Sequence, residues 1–340
     1  MQVYCVENLQ RPVTALAVTP DGQHVVHNGD NDESVLTVAD GVLVRRINII
    51  AHPTALIVTP NGQHVAAALF HGDFSVNSLV DPGELERRIR GPQHVVMSMS
   101  FSPDGRLLVS GGCNEDRTVC VWEFASGRLV HTLHGHNNAV FAVVVTPDNR
   151  HIVSCANQII MWDIATGKRV WRHGRCQSLA LVVTPDGEHI LCGNKRSIDV
   201  RAVNNGQVVR SFTAGHTQLV SALAVSLDGR WLVSGSRDNT VRVWQVTTGE
   251  QLCCLTGHEG HGVVRVAITP DSQHVLSTGY DSTLRLWSLG RILRIRGLEE
   301  ELELLTDFLE LAEDDNLVTL MIRSVLIQHT ALLLRVAMKL

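Results

Sequence analysis

Lysine is nearly absent: Lys168, Lys195 and Lys339 are the only three among 29 basic residues, and arginine supplies the rest. That bias alone implies no particular partner. Aromatic residues are also scarce, at 4% of 340 positions, yet hydrophobic residues reach 44%. Such apolar content suffices for a true core and excludes wholesale disorder. The formal charge is −5, which argues against a nucleic-acid grip spread over the whole surface, although a local basic patch stays compatible with it. No CxxC pair occurs among the eight cysteines at 5, 113, 120, 155, 176, 192, 253 and 254. Their scatter fits reduced thiols in a cytosolic protein better than a disulfide framework or a zinc site. The opening MQVYCVENLQRP lacks a basic stretch followed by an apolar one. No signal peptide is therefore expected, and the expected location is the cytoplasm, with the nucleus also open. Neither GxxxxGK[ST] nor a GxGxxG in a strand-to-helix setting is found, so no phosphate loop is expected. There is likewise no GxSxG elbow for a nucleophilic serine.

What the chain does have is an internal repeat. TPDG and its variants begin at Thr19, Thr59, Ser102, Thr146, Thr184, Ser226 and Thr269. Their second residues fall at 20, 60, 103, 147, 185, 227 and 270, with spacings of 40, 43, 44, 38, 42 and 43. The chemistry is that of a tight turn: proline presets φ, aspartate bonds its own backbone, and glycine closes the turn. An apolar run precedes each turn, as at Val220–Val225 and Val263–Ile268, and another follows it, as at Trp231–Ser234. A third run carries tryptophan at 122, 162, 244 and 287, and a fourth follows a glycine-containing turn. Four short strands in about 42 residues make one blade of a β-propeller. Seven such units predict an all-β, seven-bladed propeller over residues 1–290, followed by a short helical extension over 291–340. Gln2–Leu9 is expected to close the ring as the outer strand of the last blade, with Arg291–Arg296 as the competing candidate. Closure in this way removes exposed sheet edges.

These units resemble the WD-repeat family, most closely in GHTQLVSALAVSLDGRWLVSGSRDNTVRVWQ, residues 215–245. The repeated TPDG(Q/E)HV phrasing is similar to WD repeats attached to NACHT-type ATPase modules. The resemblance implies a buried tetrad in each complete blade: histidine from GH, serine on the second strand, aspartate in the next turn and the strand-three tryptophan. Blade six carries His216, Ser234, Asp238 and Trp244; blade seven carries His258, Ser277, Asp281 and Trp287. Blade three has Ser110, Asp116 and Trp122 with Pro92 at the histidine position. Blade four has His136, Ser154 and Trp162 with a shortened turn that leaves Asn157 near the aspartate position. Blades one, two and five lack the tryptophan. Because serine and histidine recur in one role per blade, they read as scaffold rather than as a hydrolytic triad.

Seventeen histidines raise the question of a metal. His24, His64, His151, His189 and His274 all open a strand after a turn, so they lie around a ring and cannot converge on one ion. His131, His134 and His136 alternate along one strand and its turn without an acidic or cysteine partner. No metal and no cofactor is expected.

From Leu298 the strand pattern ends. Leu298, Leu302, Leu305, Leu309 and Ala312 form a helical stripe in an acidic segment, and a second, basic stripe runs from Leu317 to Met338. An acidic and a basic helix predict a hairpin with complementary faces, a packed appendage or a surface for dimerisation or partner contact over 298–338. The longest uncharged stretch there, Ser324–Leu334, is 11 residues and too short for a bilayer span.

The resemblance implies a non-catalytic scaffold that binds other proteins. The expected contact residues come from the loops joining blades and from those joining second and third strands: Asn114, Glu115, Arg117, Asn137, Asn138, Thr217, Gln218, Arg237, Asn239 and Tyr280. Arginine and tyrosine lead as anchors. A second reading makes the chain the sensor propeller of a larger NACHT-type signalling NTPase. A third, a propeller enzyme working at the central channel, finds no support in first strands that read almost purely apolar.

Overall fold

The computed structural model describes residues 2–294 except 8, 10, 29–32, 48–52, 81–84, 93, 113–116, 175–178, 214 and 261. Within them, 28 strands form seven four-stranded antiparallel sheets. Blades one to six span 16–47, 55–89, 96–133, 142–174, 181–212 and 220–255, each a meander of consecutive strands. The seventh joins Val263–Ile268, His274–Gly279 and Leu284–Ser288 to Gln2–Val6, which pairs antiparallel with Leu284–Ser288. The N-terminal strand therefore closes the ring. The described part of its competitor, 291–294, lies in one short helix over 289–294.

The turns explain the repeat physically. In each, the amide of the fourth residue donates to the carbonyl of the first, for example Gly22 to Thr19 at 2.8 Å and Gly229 to Ser226 at 2.9 Å. That fourth residue takes a left-handed φ, +71° at Gly22, and the two non-glycine cases, Asn149 and Ser272, adopt it at φ +59° and +56°. The opening Thr or Ser hydroxyl meanwhile bonds the turn Asp or Asn and accepts the amide that starts the next strand, as in Thr146–Asp148 at 2.5 Å and His151 N to Thr146 Oγ1 at 3.0 Å. The histidines opening these strands are half-buried rather than exposed. Turns of adjacent blades nest together. A Cβ on Gly62 would lie 3.3 Å from Pro20 Cδ, and one on Gly22 would lie 3.2 Å from Pro270 Cδ, so the last turn meets the first.

The core lies between blades. Val109, Val119, Val121 and Leu133 of blade three pack on Val143, Ile152, Ile160 and Trp162 of blade four. Val25, Leu36 and Val38 of blade one pack on Leu276, Leu284 and Leu286 of blade seven. The arginine bias also finds a use here. Arg45, Arg87 and Arg210 on outer strands donate to backbone carbonyls of the next blade: Leu79, Phe124 with Ala125, and Val246 with Thr247. A planar guanidinium can serve two carbonyls at once, which a lysine cannot do with fixed geometry.

Gln2–Trp287 is one compact unit; a second begins at Ser288. In the second, Ser288 Oγ accepts the Arg291 amide at 3.2 Å and caps the helix over 289–294. The helical hairpin expected over 298–338 lies outside the described residues.

Candidate functional site

The loop face is stiffened from below by the polar networks of the blades. In blade six, His216 Nε2 lies 2.7 Å from Ser234 Oγ, and Trp244 Nε1 donates to the same oxygen at 2.8 Å. His216 Nδ1 lies 2.9 Å from Asp238 Oδ2, which also accepts the Thr217 amide at 2.9 Å. The other carboxylate oxygen of Asp238 accepts the Thr240 amide and hydroxyl at 3.0 and 2.6 Å. One aspartate thereby ties the loop entering the blade to the turn between its second and third strands. Burial alone pushes the Asp238 carboxyl up, but the bonds from His216, Thr240 and Thr217 outweigh it and hold it well below the usual carboxylate range. Blade seven repeats the arrangement: His258 Nε2 to Ser277 at 2.8 Å, Trp287 to Ser277 at 2.8 Å and His258 Nδ1 to Asp281 at 2.9 Å. There too burial pushes the carboxyl up, and the His258 and Thr283 contacts win, bringing Asp281 to about 2.

Blade four keeps half of this network. His136 Nε2 lies 2.7 Å from Ser154 Oγ, and Trp162 donates to that oxygen at 2.8 Å. The imidazole Nδ1 is buried with no hydrogen-bond partner among the described residues. The cause is turn length. In blade six the paired residues Gly235 and Val241 enclose five residues, 236–240, whereas in blade four Cys155 and Ile159 enclose three, 156–158. The positions that would supply the aspartate and threonine are missing, and Asn157 is exposed. With no acid beside it, burial pushes His136 down to about 4. In blade three Trp122 donates to Ser110 at 3.1 Å, and Asp116 lies outside the described residues.

Three blades fill the tryptophan position differently. The register that pairs Leu232 with Trp244 pairs Val25 with Leu36, Val65 with Asn77 and Ile190 with Arg201. Arg201 and Asp199 form a buried ion pair at 3.5 Å, with Arg201 Nη1 donating to the Gly206 carbonyl at 3.0 Å. Nothing in the repeat pattern announces this exchange of an indole for an ion pair.

The expected contact residues divide into two groups. Arg237 and Tyr280, both exposed, line one cavity of about 250 Å³ at a mouth of the central channel, with Met97, Phe141, Leu179, Val263 and Val264 among its walls. Gly262 brings their loops together. At φ +97° its carbonyl accepts the Tyr280 amide at 3.2 Å, and a Cβ there would stand 2.6 Å from Arg237 Cα. Thr217, Gln218 and Asn239 belong to the same two loops of blade six as Arg237: Ser236 Oγ donates to the Gln218 carbonyl at 3.2 Å, and Asn239 holds the turn at φ +68°. Arg117, at φ +49°, and Asn137 are exposed, and Asn138 accepts the Ala139 amide at 2.9 Å. None of these six is among the residues lining the cavity. Asn114 and Glu115 lie outside the described residues.

One residue of this site was missed by reading Val263–Ile268 as an apolar strand. Arg265 faces the channel. Its register partner is Thr278, as Ala55 pairs with Ala68, Ser98 with Gly111, Ala142 with Cys155 and Ala222 with Gly235. Ala180 and Ala15 hold the same place by bonds to Gly193 and Asn28. This level of the channel is therefore ringed by six small residues and one arginine. The signal was available, since the residue five before each turn's second position reads Ala, Ala, Ser, Ala, Ala, Ala, Arg.

Asp186, Glu188 and His189 each place one ligand atom within 4.8 Å of the others in the blade-five turn. Asp186 Oδ1 is already engaged there by Thr184 and, at 2.9 Å, by the Glu188 amide.

Comparison with known proteins agrees with this architecture. The WD40 family (WD domain, G-beta repeat) matches residues 83–123, 127–163, 206–245 and 249–288. Each match ends one residue past one of the tryptophans 122, 162, 244 and 287, so WD40 repeats are found in four places, where the third strand keeps its indole. The WD repeat-containing protein 26 homolog of Arabidopsis thaliana is 30% identical over 171 residues, 48% of this chain and 28% of that protein. Autophagy-related protein 16 of the same plant is 27% identical over 192 residues, 55% and 37% of the two chains. The small ribosomal subunit protein RACK1 of Drosophila melanogaster is 30% identical over 163 residues, 45% and 51%. The chain thus spans between about a quarter and a half of the length of these relatives.

Proposed function

We propose that this propeller is a non-catalytic platform for protein–protein contact, and that a partner docks on the loop face at the channel mouth formed by blades six and seven. The observation that carries this reading is the convergence of Arg237 and Tyr280, from two different blades, on one cavity with an apolar wall. Arginine and aromatic side chains over a desolvated pocket are the usual energetic anchors of an interface. The His–Ser–Asp sets, which could suggest chemistry, are committed elsewhere. The His216 and Asp238 side chains are 0% and 5% exposed, and those of His258 and Asp281 are 1% and 11% exposed, so a substrate has no access to them. Among the relatives, RACK1 is by name a protein of the small ribosomal subunit, a component of a larger assembly. That role is in keeping with a platform.

The test is quantitative mass spectrometry of proteins that co-purify with the full chain and with an Arg237→Glu/Tyr280→Ala double variant of equal thermal stability. A defined set of partners lost only in the variant is the expected result. Unchanged partners would remove the docking surface from this mouth.

A further inference from the structure

Arg265 is an unusual residue for its place. Six of seven blades put alanine or serine at its level, which leaves room across the channel for one long side chain. Among the described residues no carboxylate pairs with its guanidinium; the Nη1 atom donates to the neighbouring Val264 carbonyl at 3.1 Å. The phenol of Tyr280 lies close enough to act on it electrostatically, and burial lowers its pKa. A guanidinium carries five donors in a fixed fork suited to carboxylate. Here most of that fork is unused, in a cavity whose remaining walls include Met97, Phe141, Leu179 and Val263.

We infer that the channel mouth is a receptor for one acidic side chain, Asp or Glu, of the docked partner, whose carboxylate pairs with Arg265 between Arg237 and Tyr280. This rests on the reading of the loop face as a docking surface. Arg265 lines both this cavity of about 250 Å³ and one of about 200 Å³ along the channel, space on the scale of a side chain. The charge follows from the single guanidinium at that level. A carboxylate takes two parallel bonds from that one planar fork, while the second guanidinium on the cavity, Arg237, is exposed at the rim. A side chain rather than a chain terminus follows from the donors. Terminal carboxylates are characteristically captured by backbone nests, and the free donors here are on side chains.

The decisive experiment selects a phage-displayed library of random dodecapeptides on the full chain, with counter-selection on Arg265→Met. Binders are then remade as amidated peptides carrying Glu, Gln or phosphoserine at the acidic position and measured by fluorescence anisotropy. The expected result is a fixed Asp or Glu in the wild-type-specific binders. Affinity should fall at least tenfold for the Gln peptide and by the same factor for the Arg265→Met protein, with Arg265→Lys intermediate. Arg265→Met should melt no lower than wild type, because it removes a charge with no acidic partner. Four results overturn the inference: no selected peptide, binders without an acidic position, binding that survives Arg265→Met, or a preference for phosphoserine. A lower melting temperature for Arg265→Met with unchanged peptide binding would instead make Arg265 a plug of the channel. If the peptides fail while Arg237→Glu/Tyr280→Ala still strips co-purifying partners, the docking surface stands and the acidic receptor falls.

Discussion

Blade four should make the propeller sensitive to mild acid through one residue. His136 is buried, with Nδ1 unpartnered, and its pKa is pushed from 6.5 down to about 4. A group that protonates later in the folded state than in the unfolded one withdraws stability as pH falls. The loss begins near the unfolded value and is complete at the folded value, here between 6.5 and about 4. With those two values, linkage removes roughly 2 kcal/mol between pH 7 and pH 5. For a domain of this size that corresponds to about 3 °C in melting temperature. The perturbation is His136→Gln, whose amide can keep the bond to Ser154 but does not titrate. Melting temperatures of the full chain and the variant should be recorded from pH 7 to pH 5. The variant starts lower at pH 7, having lost the ring contact with Trp162 at 6.2 Å, and then loses about 3 °C less than wild type. Parallel curves would refute the argument, since the two proteins differ only at this position.

Three further outcomes follow from other blades. Asn77 Nδ2 and Ser75 Oγ are buried without hydrogen-bond partners among the described residues, and Leu36 fills the place of Asn77 in blade one. Asn77→Leu, close in shape, should therefore raise stability in urea by about 1 kcal/mol or more, and a loss would show that the amide is satisfied. Gly262→Ala forces a Cβ to 2.6 Å from Arg237 Cα at a φ of +97°; a loss of about 1–3 kcal/mol is expected, and a neutral result would mean the mouth is not held by this contact. Asp281 titrates at about 2 against an ordinary 3.8, so its stabilisation is present above 3.8 and lost as pH falls toward 2. Asp281→Asn should cost roughly 2 kcal/mol at pH 7 and almost nothing at pH 2, and an equal cost at both pH values would contradict the linkage.

Much of the ring was readable because its signals are local. A turn such as Thr184–Gly187 acts within four residues through its own hydrogen bonds, so seven copies announce seven blades wherever the chain goes. In blades six and seven the serine, aspartate and tryptophan stand at the same offsets from the turn, and the histidine differs by one residue. The substitutes were harder to see. Arg201 and Asp199 alternate along a strand that looks like any other, and only their burial as a pair at 3.5 Å shows that they replace an indole. The orphaned Nδ1 of His136 required knowing that a turn two residues shorter removes both of its partners. Reading Val263–Ile268 as apolar failed at Arg265, since hydrophobic content averaged over a strand conceals the one position that faces the axis.

Sequence alone determined the number of blades and the site of ring closure at Gln2–Val6. Periodicity and turn chemistry are properties of neighbours along the chain. Only the tertiary structure decided that the position of Arg265 faces the axis, and that Arg237 and Tyr280 share one cavity with it. Those residues belong to a level built by seven strands about 42 positions apart. What one strand's side chain meets at the axis is set by the other six.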